Sequence, residues 1–184
     1  MQYSNLENSP SIKDLFSLKN KNSLVIGGAG LLGSHMSLTL AELGSNIIIA
    51  SRDLKKCSEI TNLISAKYNN IKITAHSVDI TNEKSLDELF NFVSKEYKSL
   101  DILINSGTSN KKNNLESITF DDWDYDVNVT LNGVFKTIKT FLPMLKKTKG
   151  NILNIASMYG HVAPDYKLYD SPKFANPPSY GASK

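Results

Sequence analysis

A tyrosine and a lysine four residues apart, Tyr180 and Lys184, lie in the stretch YGASK at the end of the sequence. On a helix, residues at this spacing lie one turn apart on the same face. An ammonium group held beside a phenol lowers the pKa of the phenol, because it favours the charged phenolate. Such a pair suits a general acid and base. By itself, the pattern is equally compatible with a polar surface turn that begins an exposed helix.

A glycine-rich stretch, GGAGLLGS, follows a short apolar run and contains Gly28, Gly30 and Gly33 in the pattern G-x-G-x-x-G. Between a strand and a helix, this pattern is typical of dinucleotide-binding turns. The glycines permit a tight turn and close approach of the backbone to the ligand. The N–H groups at the start of the following helix can bind a pyrophosphate. The position of the pattern therefore predicts a dinucleotide cofactor.

The second apolar run ends at Ser51, and Arg52 follows it. A carboxylate at such a strand end accepts a hydrogen bond from the ribose 2′-hydroxyl of NAD, whereas an arginine pairs with the 2′-phosphate of NADP. Asp53 lies one position further and is predicted to cap the next helix. These residues favour NADP(H), with NAD(H) as the alternative. The competing interpretation is that Arg52 is an ordinary solvated arginine.

Five short apolar runs alternate with longer helical patterns along the chain. This alternation predicts an α/β fold of the Rossmann type, with a doubly wound parallel sheet. The runs are rich in Ile, Val and Leu, as in strands buried on both faces. Pro143 is expected to bend or end the last helix. Because the standard dinucleotide-binding sheet has six strands, five imply an incomplete fold without its C-terminal strands. The runs lie at 23–27, 46–50, 71–78, 101–105 and 151–157, and the helices near 31–43, 53–68, 83–97 and 121–147.

The length of 184 residues fits one domain, expected at residues 15–184 after a disordered or loosely attached arm at 1–14. The single cysteine, Cys57, excludes an internal disulfide and fits a reducing cytoplasm. The net charge of +3 is dispersed and gives no footprint for nucleic acid. No stretch predicts a membrane span or a secretory signal, and no residues have the spacing of metal ligands.

Five motifs, taken in order, resemble those of the short-chain dehydrogenase/reductase family, and the likeness runs from about residue 15 to residue 184. The motifs are GGAGLLG, HSVDI, DILINSGT, NILNIASMYG and YGASK. In the second motif, Asp79 and Ile80 would lie beside the adenine. The cofactor contacts that the resemblance and the glycine turn imply are Gly27, Gly28, Gly30, Leu32, Gly33, Ser51, Arg52, Asp79, Ile80, Asn105, Gly107, Tyr180 and Lys184.

The resemblance also implies a catalytic set. Tyr180 would give a proton to the carbonyl oxygen of a small-molecule substrate while the nicotinamide delivers a hydride, with the reverse for oxidation. Lys184 would hold the nicotinamide ribose, and Ser157 would orient the carbonyl. Thr130 occupies the position of the family's fourth catalytic residue, an asparagine. Its hydroxyl would either support a proton relay to Lys184 or bond back to the preceding helical turn.

Three functions are compatible with these residues. The first is an NADP(H)-dependent carbonyl reductase or alcohol dehydrogenase of the standard branch, acting on a sugar or sugar acid, because the opening segment resembles gluconate 5-dehydrogenases and oxoacyl reductases. The second is a sugar-nucleotide epimerase or dehydratase of the extended branch, because the standard branch would place a glycine at Leu31. The third is a truncated product that catalyses nothing. A homodimer or homotetramer is expected only for a full-length chain.

The loop between Ser157 and Tyr180 is long for a compact domain, and loops of this length are often functional. It is predicted to line the substrate site, where His161, Lys167 or Lys173 could contact a polar or anionic substrate. The alternative is a solvated surface excursion.

Overall fold

The structure, a computed structural model, describes residues 9–109, 111, 114–171 and 174–184. Its centre is a parallel five-stranded sheet in the order β3-β2-β1-β4-β5. The first strand lies in the middle of the sheet, the next two are added on one side of it, and the last two on the other side. The order in which strands are added therefore changes side between β1 and β4, while all strands stay parallel. This topology confirms the Rossmann-type doubly wound sheet. The strands are β1 (Asn22–Ile26), β2 (Asn46–Ser51), β3 (Ile73–Ser77), β4 (Ile102–Asn105) and β5 (Asn151–Asn154).

Helices cover both faces of the sheet, because alternate strand residues point to opposite sides. Helices α2 and α3 pack on one face, against a cluster that includes Val25 and Ile49. Helices α4 and α6 pack on the other face, against a cluster that includes Leu24 and Ile48. The helices are α1 (Ile12–Leu15), α2 (Leu31–Glu42), α3 (Leu54–Lys67), α4 (Glu83–Glu96), α5 (Phe120–Val127), α6 (Gly133–Thr148) and α7 (Pro178–Ser183).

The five strands differ in burial. All residues of β1 are buried, as are the four central residues of β2. In contrast, all four residues of β5 are exposed, including Ile152 at 38 % and Leu153 at 49 %. The prediction that the strands are buried on both faces is therefore confirmed for β1 and β2 and is wrong for β5. Edge position alone does not explain this, because β3 also lies at an edge and pairs with β2 alone, yet four of its five residues are half-buried. Helix α3 packs closely on β3, whereas among the described elements β5 has only a sparse contact with α6.

The pattern at 121–147 predicts one α-helix, and the structure corrects this. A π-helical turn at Asn128–Asn132 separates α5 from α6, although the chain stays helical throughout. Such turns occur mostly as short insertions in α-helices and often lie at functional sites. Pro143 does not end α6, which continues to Thr148. Buried side chains at Phe141 and on the turn that follows Pro143 anchor the helix to the core, which outweighs the one backbone hydrogen bond that proline removes.

The segment before β1 contains only the short helix α1. Ser11 caps it with a reciprocal capping box to Asp14, and none of its residues is buried. The boundary between the arm and the domain stays a prediction. No helix among the described residues is long and apolar enough to cross a bilayer.

Candidate active site

A pocket lies where the chain leaves the carboxyl ends of β1, β2, β3 and β4. This is the position at which open α/β sheets bind ligands, beside the point where the strand order reverses. The predicted cofactor residues in its lining are Gly27, Gly30, Ser51, Arg52, Asp79, Ile80 and Gly107. The sequence analysis missed further lining residues, most of them apolar or small neighbours of the motifs: Ile26, Val78, Ser106, Thr108 and Val129.

The glycine turn after β1 is packed so closely that side chains are excluded. Gly27 has a φ of +74°, and a Cβ placed on it would lie 2.6 Å from the backbone nitrogen of Gly107. A Cβ on Gly33 would lie 2.2 Å from the carbonyl oxygen of Gly27, and one on Gly28 would lie 2.9 Å from the Ile49 side chain. Gly28 and Gly33 therefore serve the packing of the turn against α2 and the sheet, and they do not line the pocket.

The N-terminus of α2 faces this turn without side-chain partners. Its N-cap, Gly30, makes no side-chain hydrogen bond to the helix, and the first turn contains no acidic residue. Leu32 lies in that first turn, and its side chain is 54 % exposed. Free N–H groups and the positive end of a 12-residue helix suit a phosphate group. The glycine turn and the helix start together fit the pyrophosphate of a dinucleotide.

The charged group at the end of β2 is Arg52. Its guanidinium donates a hydrogen bond to the Tyr125 hydroxyl on α5, and Arg52 and Ser51 line the pocket. Asp53 accepts a hydrogen bond from the backbone N–H of Lys56 at 3.1 Å, which confirms its prediction as the N-cap of α3. The carboxylate of Asp53 is thus engaged by its own helix, and Arg52 is the ionic side chain that this strand end offers to the pocket.

Asp79 and Ile80 form the wall of the pocket after β3. The Asp79 carboxylate accepts hydrogen bonds from the backbone and the hydroxyl of Thr81, at 2.9 and 2.7 Å. Ile80 is 7 % exposed and contacts Gly107. Asn105 is buried and does not line this pocket. Its amide donates to the side chain of Asn154 at 2.8 Å, and its buried Oδ1 has no hydrogen-bond partner among the described residues.

Tyr180 lies in α7 and Lys184 is the C-cap residue directly after it, so the two lie about one helical turn apart, as their spacing predicts. The Lys184 ammonium is 5.8 Å from the centroid of the Tyr180 ring and donates a 2.6 Å hydrogen bond to the carbonyl of Ile155. Burial lowers the pKa of Lys184 from its ordinary value, because the charged form loses solvation. The Tyr180 hydroxyl has no hydrogen-bond partner among the described residues, so it is available to a substrate.

Ser157 caps the 3₁₀ turn at Met158–Gly160, where its Oγ accepts from the backbone N–H of Tyr159 at 3.2 Å. Helix α7 packs directly on this turn. A Cβ on Gly160 would lie 2.8 Å from the backbone of Lys184, and one on Gly181 would lie 2.8 Å from the carbonyl oxygen of Tyr159. The structure therefore brings the segment of Ser157 against the helix of Tyr180 and Lys184.

Thr130 is 3 % exposed and lies in the π-helical turn. Its hydroxyl accepts a 3.1 Å hydrogen bond from the backbone N–H of Ser109 and lies 3.3 Å from the Thr108 hydroxyl. The Thr130 hydroxyl makes no hydrogen bond to the preceding turn of its own helix, so that alternative of the sequence analysis is wrong. Within the described residues its hydroxyl has no hydrogen bond to Lys184 either. Thr130 instead supports the segment that follows β4.

The two ends of the loop between Ser157 and Tyr180 line a second pocket. Its lining consists of residues 159–164, 176–178, 181 and 182 together with Leu115, and it includes His161. Lys167 is exposed and is not part of it, and Lys173 lies outside the described residues. In the part of the chain that the structure describes, no three His, Cys, Asp or Glu side chains form a group that could hold a metal ion.

Comparison with known protein families gives one match over most of the chain. The family model described as short chain dehydrogenase matches residues 21–184. An uncharacterized oxidoreductase of Staphylococcus aureus (strain MW2) is 29 % identical over 160 residues, which cover 86 % of this chain and 68 % of that protein.

Solved structures show the same fold. The RhlG/NADP active-site complex of Pseudomonas aeruginosa superposes with a TM-score of 0.79 at 26 % identity, over 91 % of this chain and 63 % of that one. A short chain dehydrogenase from Mycobacterium smegmatis gives a TM-score of 0.78 at 24 % identity, over 91 % of this chain and 66 % of that one. This chain thus spans less than two thirds of either solved chain.

Proposed function

Because the chain belongs to the short-chain dehydrogenase family, we propose that it acts as an oxidoreductase that transfers a hydride between a nicotinamide cofactor and a carbonyl or secondary alcohol. One observation carries the proposal: α7, with Tyr180 and Lys184, packs on the same π-helical turn whose Val129 lines the cofactor pocket. A cofactor with its pyrophosphate on the glycine turn would therefore extend towards the tyrosine. Two of the proteins named above are described as an oxidoreductase and a short chain dehydrogenase, and neither description supports the epimerase or dehydratase alternative.

The residues have complementary roles in this proposal. When bound, the nicotinamide supplies or accepts the hydride. The unpaired Tyr180 hydroxyl gives a proton to the carbonyl oxygen in reduction and takes it back in oxidation. Ser157 uses its Oγ as an acceptor for a backbone N–H, so its own proton is available to orient the same oxygen. Lys184, fixed by the Ile155 carbonyl, would hold the ribose hydroxyls of the cofactor.

The first test replaces Tyr180 by Phe, which removes only the hydroxyl. General acid catalysis contributes about 10²–10⁴-fold to a rate, so kcat should fall at least about 100-fold while the NADPH dissociation constant, measured by nicotinamide fluorescence, stays within about twofold. Tyr68→Phe, which removes a hydroxyl beyond the site on the far end of α3, is the matched control. A Tyr180→Phe variant with more than about a tenth of the wild-type kcat, a loss below ~1.4 kcal/mol, would exclude Tyr180 as the acid.

We propose NADP(H) as the preferred cofactor. Arg52 at the pocket supports this, as does the relative solved as an NADP complex. Arg52→Ala should weaken NADPH binding far more than NADH binding, because only NADPH presents a 2′-phosphate to the guanidinium. Lys55→Ala, which removes a nearby exposed cation from α3, should change neither affinity by more than about twofold. Equal losses for both cofactors in Arg52→Ala would contradict the preference.

For the substrate we propose a polar, sugar-like carbonyl or alcohol, supported by His161 and Asn176 in the second pocket. Turnover of polyols and sugar acids should exceed turnover of apolar ketones of equal carbon number, and the opposite order would contradict this.

A cytoplasmic location, supported by the single buried Cys57, would be tested by fractionation of cells. A homodimer or homotetramer of a full-length chain, supported by exposed Phe120 and Phe135, would be tested by light scattering.

A further inference from the structure

A fully buried carboxylate, Asp126 on α5, joins three segments of the chain. It accepts a 2.7 Å hydrogen bond from the Ser109 hydroxyl and a 2.6 Å hydrogen bond from the Ser179 hydroxyl. The backbone N–H of Lys111 is a further donor, 3.2 Å from Oδ2. Asp126 is 0 % exposed, and Ser179 is equally inaccessible to solvent. Neither the motifs nor the proposed chemistry uses this residue.

A carboxylate at this depth needs a specific reason, because burial of an ionised group is unfavourable unless hydrogen bonds or charges compensate it. No ion pair to Asp126 exists among the described residues, and the Lys111 ammonium lies near Asp122 instead, at 3.8 Å. Among the described residues, the compensation comes from two hydroxyls and one backbone N–H. The two O–H···O distances are in the range of charge-assisted hydrogen bonds, which are stronger and more directional than neutral ones.

One of these bonds fixes the start of the helix that carries Tyr180. Ser179 directly precedes Tyr180, and the carbonyl of Ser179 also accepts a 2.7 Å hydrogen bond from the Ser183 hydroxyl. Helix α7 has only six residues, too few for stability without tertiary contacts. Its middle is fixed by the close approach of Gly181 to the 3₁₀ turn, and its end by the Lys184–Ile155 hydrogen bond. The Asp126–Ser179 bond is the polar attachment at its beginning.

The second hydrogen bond, from Ser109 to Asp126, holds the segment that borders the cofactor pocket. Ser109 donates its hydroxyl to Asp126 and its backbone N–H to Thr130. The residue before it, Thr108, lines the pocket. Asp126 therefore connects the segment after β4, which borders the pocket, to the helix with the Tyr180–Lys184 pair.

We propose that Asp126 is a positioning residue that sets Tyr180 and Lys184 relative to the cofactor pocket, through Ser179 on one side and Ser109 on the other. The proposal rests on the proposed function of Tyr180. Asp126 contacts neither the pocket nor the tyrosine hydroxyl, so it acts through α7 and takes no part in proton transfer. Its loss should therefore reduce the rate of the chemical step more than the affinity for the cofactor.

The kinetic test compares Asp126→Val, Asp126→Asn and Ser179→Ala with Asp124→Val, which removes an exposed carboxylate from the same helix. Asp126→Val should lower kcat at least tenfold and change the NADPH dissociation constant less than threefold. Asp126→Asn keeps an acceptor oxygen for one serine and should restore kcat to within about threefold of wild type. Ser179→Ala should lower kcat in the same direction as Asp126→Val, and Asp124→Val should match wild type.

Two kinetic results would overturn the proposal. One is a wild-type kcat in both Asp126→Val and Ser179→Ala. The other is a parallel loss of kcat, NADPH affinity and thermal stability in Ser179→Ala, which would indicate a general folding role. Ser179→Ala is the informative variant if Asp126→Val fails to fold, because it removes one hydrogen bond and leaves the carboxylate in place.

Hydrogen exchange provides a second test of the proposal that does not depend on turnover. In Ser179→Ala, amides at residues 179–184 should exchange faster than in wild type, while those of β1 and β2 stay unchanged. If the wild-type protein has no turnover, the proposed function fails, and faster exchange confined to α7 would still support the attachment by Asp126. Unchanged exchange in α7 would overturn the positioning role whatever the activity.

Discussion

The two regions that form the candidate site are stabilised in different ways. The cofactor pocket lies at the ends of strands such as β1, in which every residue is buried and apolar side chains pack on both faces. The segment with the proposed catalytic residues follows β5, in which every residue is exposed. There, individual hydrogen bonds and glycine contacts fix the backbone, such as Asp126–Ser179 and Gly160 against Lys184. The pocket is thus shaped by the core, and the side chains of Tyr180 and Lys184 are held in place by a few polar contacts.

Truncation of one apolar strand residue in each region should give the largest contrast. Ile48 in β2 is 0 % exposed, and Leu153 in β5 is 49 % exposed. Ile48→Ala should lower the free energy of unfolding by about 2–5 kcal/mol, because it removes buried methyl groups and leaves a cavity. Leu153→Ala should cost less than about 1 kcal/mol. Urea denaturation of both variants measures this, and equal losses would show that β5 contributes to the core as β2 does.

Much of the first region could be predicted from the sequence. Apolar runs gave the strands, and G-x-G-x-x-G gave the turn, because both depend on residues close in the chain. Asp53 was recognised as a cap for the same reason, since capping acts over three residues. The exposure of β5 could not be predicted, because it depends on which helices pack on the strand rather than on its composition.

The second region was predicted less completely. The spacing of Tyr180 and Lys184 predicts the pair, but the contacts that hold their helix in place could not be predicted. The partner of Ser179 is Asp126, 53 positions away, and a carboxylate in a helix is usually solvated. One signal was present, because Asp126 follows Trp123 by three positions, on the helix face that turns inward. The π-helical turn has no recognisable pattern in the residues that form it.

Substitution of a glycine should affect NADPH affinity in the pocket region and turnover in the region of α7. A Cβ on Gly33 would lie 2.2 Å from the Gly27 carbonyl oxygen, so Gly33→Ala should destabilise the protein by about 1–3 kcal/mol and weaken NADPH binding. A Cβ on Gly160 would lie 2.8 Å from the Lys184 backbone, so Gly160→Ala should displace α7 and lower turnover while NADPH affinity changes little. Equal effects of Gly33→Ala and Gly160→Ala on NADPH affinity would remove the distinction.

A smaller effect is expected from pH. Burial raises the pKa of Tyr97 to about 12 from 10.0, while its hydroxyl donates to the carbonyl of Ile47. Between these two pH values the unfolded chain has lost the proton and the folded chain retains it, so stability falls as the pH rises from about 10 to about 12. Tyr97→Phe should lack this part of the alkaline decline in chemical denaturation. An identical decline in the variant would show that Tyr97 is not its source.

In the proposed function, one dinucleotide extends from the pocket at the carboxyl ends of β1 to β4 to helix α7, which polar contacts hold in place. Hydrogen exchange measured with and without saturating NADPH tests this directly, because it reports on both regions in one experiment. Exchange should become slower in the turn at residues 27–33 and also in α7, because Lys184 directly after α7 would hold the ribose; α1 should stay unchanged and is the internal reference. Protection of neither segment, or of residues 27–33 without α7, would contradict it.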